Sequence, residues 1–157
     1  ADSVFTSGTV TLDSGMDYSV FAVGRVFGNP DFTLVPTLDD NRAIATQASL
    51  KAVHGAAAVG TVDVYVTTAG DFSITDVEAG AAGAPLVPNF EFGQFTDYVA
   101  VPEGSYDVRI LDQATGMVVI NVEGAPLANG DVVTAIAYGP DESDGDPAAP
   151  GLLLLSN

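Results

Sequence analysis

Few residues in this 157-residue chain are of types that do chemistry. Asp13-Ser14-Gly15, set in Thr11-Leu12-Asp13-Ser14-Gly15-Met16-Asp17, has the form of an aspartic-protease loop, in which two carboxylates share a proton and activate water. A second such loop or a symmetric partner would have to supply the other carboxylate. The single histidine, His54, ends an alternating segment and could serve as a general base beside an acid such as Asp63 on a neighbouring strand. No Gly-x-Ser-x-Gly elbow and no placed nucleophile accompany it, so it is read as a hydrogen-bonded turn residue. In Asp141-Glu142-Ser143-Asp144-Gly145-Asp146 the carboxylates are hard oxygen donors, and Asp141, Asp144 and Asp146 are the expected ligands of a structural calcium. The spacing is not that of a helix-loop-helix site, and no other cofactor is expected. Tyr65, Tyr98 and Tyr106 are the candidates for an aromatic platform against a sugar.

Composition narrows the classes further. Acidic residues number 21 against 4 basic, a net charge of −17, which repels nucleic-acid phosphates and anionic lipid alike. Zero cysteines exclude disulfides, thiol catalysis and iron–sulfur clusters, and with one histidine they exclude zinc sites of the Cys/His kind. Self-repulsion of this size is relieved by salt, so a saline exterior is the expected setting, secreted or on a cell surface. Apolar residues make up 47%, enough for a core, and the longest apolar run near the end, 152–155, is far too short to span a bilayer.

The elements that must position these residues are strands. Val62-Asp63-Val64-Tyr65-Val66 and Tyr106-Asp107-Val108-Arg109-Ile110 alternate at period two, with Val and Ile toward a core and the charges toward water. Similar runs cover 4–12, 18–26, 32–38, 49–54, 95–101, 117–122, 132–138 and 152–155, about ten strands in all, with no long helical segment. Turn signals separate them, among them Asp13-Ser14-Gly15 and Ala128-Asn129-Gly130. The small-residue stretch 76–88 reads as a long loop.

Residues 12–24 lie without gaps on residues 127–139, with Leu12 on Leu127, Gly15 on Gly130, Ala22 on Ala137 and Gly24 on Gly139. The protease-like loop therefore has Ala128-Asn129-Gly130 as its counterpart, which keeps the turn and lacks the carboxylate. The chain divides at this level into residues 1–41, the C-terminal half of one β-sandwich module, and residues 42–157, a complete one. Leu12 and Leu127 should be equally buried.

The ordered series Leu50-Lys51-Ala52-Val53-His54-Gly55, Val62-Asp63-Val64-Tyr65-Val66, Phe92-Gly93 and Tyr98-Val99-Ala100-Val101-Pro102-Glu103-Gly104-Ser105-Tyr106-Asp107-Val108-Arg109 resembles the domain-of-unknown-function family numbered 4397. The resemblance implies an all-β, immunoglobulin-like antiparallel sandwich on secreted or surface-anchored prokaryotic proteins, with no activity to carry over. The expected function is that of a non-enzymatic structural or adhesive protein. Its partners would be copies of itself or cell-surface and matrix components, and its assembly strand would carry Val4, Phe5, Val10 and Leu12 to a neighbour in a head-to-tail filament. The alternative is a monomeric ligand- or carbohydrate-binding module.

Overall fold

The computed structural model describes residues 6, 8–25, 30–40, 42–139 and 149–156. Among the described residues, ten strands and one short helix follow each other as β1 (Asp17–Val23), β2 (Thr33–Asp39), β3 (Ala48–His54), β4 (Val62–Thr68), α1 (Ile74–Glu78), β5 (Val87–Phe90), β6 (Val99–Val101), β7 (Gly104–Asp112), β8 (Met117–Leu127), β9 (Val132–Tyr138) and β10 (Gly151–Ser156). Two four-stranded sheets, ordered β10-β9-β3-β6 and β5-β4-β7-β8, face each other as an all-β sandwich. All pairings are antiparallel except β3 with β9.

Period-two alternation sends one face of each strand into the space between the sheets. From one sheet come Leu50, Ala52, Val133, Ala135 and Ala137; from the other, Val62, Val64, Val108, Ile110 and Ile120. Val62 is fully buried, and Tyr106, whose hydroxyl donates to the Pro102 carbonyl at 2.9 Å, packs at one end.

The other faces are not left to water. The β1–β2 hairpin forms a layer over the outer face of the β3/β9 sheet, with Val23 and Val35 buried and Thr37 only 1% exposed. Gly55 lets this layer close in: a Cβ there would meet Val23 Cγ1 and the Ala137 carbonyl. Gly24 ends β1 with φ of +93°, and a Cβ on it would overlap the Asp31 carbonyl. Both conditions select glycine. On the opposite side α1 lies over β7 and β8, with Val77 buried beneath it.

Several expectations are corrected here. The described part of 4–12 forms no strand, and of 95–101 only Val99–Val101 pairs as one, with Phe95 in an isolated bridge to Val53. The 117–122 run continues to Leu127, and the expected loop contains the end of α1 and the start of β5. Ser73 starts that helix with a capping box: its hydroxyl accepts from the Asp76 N–H, and the Asp76 carboxylate accepts from the Ser73 N–H. Gly15 and Gly130 both occupy turns at positive φ, and each is followed by a strand that makes a hairpin with the next one. Leu12 and Leu127 differ, however, at 56% and 7% exposure, because Leu127 ends β8 inside the core whereas Leu12 belongs to no strand.

Candidate functional site

His54 closes β3 on the core side. Its ring is 5.7 Å from that of Phe90 and 6.2 Å from that of Phe92, and Nε2 donates to the Gly60 carbonyl at 3.0 Å. No hydroxyl or carboxylate among the described residues bonds to the ring. Asp63, the acid expected near it, instead accepts from the Asn89 N–H at 2.9 Å and from Gln113 Nε2 at 2.7 Å. Burial holds the imidazole below its ordinary value of 6.5, only partly offset by the Gly60 carbonyl.

That depression makes a testable pH dependence. The unfolded chain takes up a proton below about pH 6.5 and the folded chain resists it, so stability present above that pH is lost as pH falls toward the lower folded value. Urea midpoints at pH 7 and pH 5 should differ more for the native protein than for His54→Phe, in which the ring remains but cannot titrate. Equal pH dependence would mean that His54 is not the group responsible.

Asp13 stands exposed before its turn, and its N–H donates to the Tyr18 hydroxyl at 3.1 Å. Asp141, Asp144 and Asp146 lie outside the described residues, and so do Val4 and Phe5. Among the described residues no group of three or more His, Cys, Asp or Glu side chains could hold a metal. The three tyrosines do not share a surface: Tyr65 is 8% exposed, Tyr98 lies over Lys51, and Tyr106 packs on the core.

The charges of β7 do not face water as alternation suggests. Asp107 and Arg109 are each 3% exposed on the outer face of their sheet. Arg109 Nη2 donates to Asp107 at 3.1 Å, and Asp107 also accepts from the Gly70 and Gly124 N–H groups at 2.9 Å each. Those backbone donors, led by Gly70 and joined by Arg109, hold the Asp107 carboxyl below the usual range. An open cleft of about 610 Å³ lies against the pair, lined also by Phe72, Ser73 and Glu123. Arg109 Nε and Nη1 are buried without a hydrogen-bond partner.

A different kind of site lies at the sheet edge. Among the described residues β10 pairs with β9 only, and no described strand meets the backbone N–H and C=O groups of its other side. Leu152 is half-buried against the core, while Leu153, Leu154 and Leu155 are 47%, 37% and 39% exposed. The strand has no charge and no proline, the devices by which edges are normally protected. Residues 8–12, Gly-Thr-Val-Thr-Leu, are similarly uncharged, with Val10 46% and Leu12 56% exposed, and they pair with no strand among the described residues. In a chain with 21 acidic residues, these are two exposed apolar segments without one. The leucine run 152–155 reads in sequence as a short strand buried on both faces, and the exposure of Leu153, Leu154 and Leu155 corrects that.

No curated protein matches the chain. A family described as a domain of unknown function, DUF4397, matches residues 1–65 and 69–156. All the motif residues of β3, β4, β6 and β7 but Val66 fall within these stretches, and they build both sheets of the sandwich. Matched over nearly its whole length, the chain belongs to the DUF4397 family.

Proposed function

We propose that this protein is a non-enzymatic extracellular structural or adhesive module that assembles head-to-tail by strand addition. The observation that carries the reading is the uncharged edge of β10, which among the described residues has no strand on its outer side. An incoming strand satisfies the open backbone groups of such an edge, and side-chain alternation sets its register. Residues 8–12 of a neighbouring copy have the required pattern, Val10 and Leu12 on one side and threonines on the other. Joining one end of each copy to a different surface of the next is heterologous and does not close, so the product is a filament. The net charge of −17 opposes the contact, and salt screens that opposition.

Light scattering over a concentration series in concentrated sodium chloride tests this. The native chain should form species that grow with concentration, and Leu153→Lys with Leu155→Lys should remain monomeric while keeping its circular dichroism. A native chain that stays monomeric throughout removes the assembly reading. It would favour a second one, a monomeric ligand-binding module, for which the cleft beside the partly unpaired Arg109 is the supporting observation.

A further inference from the structure

Lys51 is the only lysine of the chain, and it is not at the surface. It projects from β3 into the layer between the sandwich and the β1–β2 hairpin, where its side chain is 1% exposed. Nζ donates to Thr37 Oγ1 at 2.9 Å, to the Leu38 carbonyl at 3.4 Å and to Oδ1 of Asp39, and it lies 4.8 Å from the centre of the Tyr98 ring. The Asp39 side chain is 8% exposed, and its other oxygen, Oδ2, accepts from Ser19 Oγ at 2.6 Å. An amine and a carboxyl carbon thus face each other out of water, each held by hydroxyl groups.

We propose that Lys51 and Asp39 condense into an intramolecular isopeptide bond that fastens the hairpin covalently to the sandwich. The physical case has three parts. Two buried ions carry a heavy desolvation cost, and an amide removes both charges while keeping one donor and one acceptor. Rigid juxtaposition replaces the encounter of separate reactants, and a lysine taken out of water is an effective nucleophile once neutral. Proton traffic is assigned to Asp17, an exposed residue that is the register partner of Asp39 and shares its face of the hairpin with Ser19 and Thr37.

The step balances without any added reagent. One ammonium proton passes to Oδ1, leaving a neutral amine and a neutral acid. The Nζ lone pair attacks Cγ, and the charge that develops on Oδ2 is met by the Ser19 hydroxyl. Asp17 takes a second proton from nitrogen and returns it to Oδ1 as the Cγ–Oδ1 bond breaks. One water leaves, the third proton stays on the amide nitrogen, and Oδ2 becomes the amide carbonyl.

Mass spectrometry of the denatured full chain, after folding at neutral pH, tests the proposal. The native protein should be lighter than its sequence by one water. Trypsin can cut after Arg25, Arg42, Lys51 and Arg109, so a cross-linked chain should yield no free peptide 43–51 and instead a branched species joining 26–42 to 43–109. Lys51→Arg should restore the full mass, and Asp17→Asn should slow the water loss after refolding from urea. A native chain of full sequence mass that releases peptide 43–51 overturns the bond, and so does a water loss that persists in Lys51→Arg. An unchanged rate in Asp17→Asn overturns the part given to Asp17.

Discussion

Asp39→Ala should destabilise the protein by about 3–5 kcal/mol, because it leaves the Lys51 charge buried beneath the hairpin with no counter-charge. The Thr37 hydroxyl, the Leu38 carbonyl and the Tyr98 ring remain around the ammonium, and none of them carries a negative charge. The double variant Asp39→Leu with Lys51→Met should be more stable than Asp39→Ala, since an apolar pair leaves no unpaired charge buried beneath the hairpin. Urea unfolding of the single and double variants checks both statements. A single variant as stable as the double would show that the hairpin lifts away and lets water reach Lys51.

The second large effect is expected on the opposite sheet. Asp107→Ala should cost about 2–4 kcal/mol, since the N–H groups of Gly70 and Gly124 and the Arg109 guanidinium lose their shared acceptor at once. Asp107→Asn should fall between the two, because its single carbonyl oxygen cannot serve all three donors. The carboxyl is held below its ordinary value of 3.8, so its contribution is complete above that pH and is lost as pH falls through the lower folded value. Acid unfolding of Asp107→Ala should therefore lack a component of the native transition below pH 3.8. Urea midpoints for all three proteins, measured at neutral and at acid pH, read out both effects.

The strands at 62–66 and 132–138 were legible because strict alternation over a half-apolar segment has one local solution. The fates of Lys51, Asp107 and Arg109 were not. Alternation tells which residues share a face and is silent about what lies over it. A polar face with a hairpin or a short helix above it has the same local pattern as one facing solvent. Leu12 illustrates the reverse case: its segment alternates like a strand, but a strand also needs a ladder partner, and none is encoded locally. A signal for the buried lysine did exist, a lone basic residue in Ala48-Ser49-Leu50-Lys51-Ala52-Val53-His54 in a chain with no other lysine. The helix start was likewise readable from Ser73 and Asp76, spaced as a capping box.

The pairing directions of β3, β9 and β10 determine how the sandwich would carry load. Because β9 runs parallel to β3 and β10 runs antiparallel to β9, Ser156 at the far end of β10 sits opposite Val133, whose partner on β3 is Leu50 near that strand's start. Ladder hydrogen bonds lie across the strands. Tension applied at Ser156 and directed away from the sheet opens the β9–β10 ladder one pair at a time, like a zipper. A strand laid along the open edge of β10 and pulled along its own axis loads every bond of its ladder together, in shear. The same edge is therefore weak against peeling and strong along its length, and a fibre built through it would resist stretching far better than splaying.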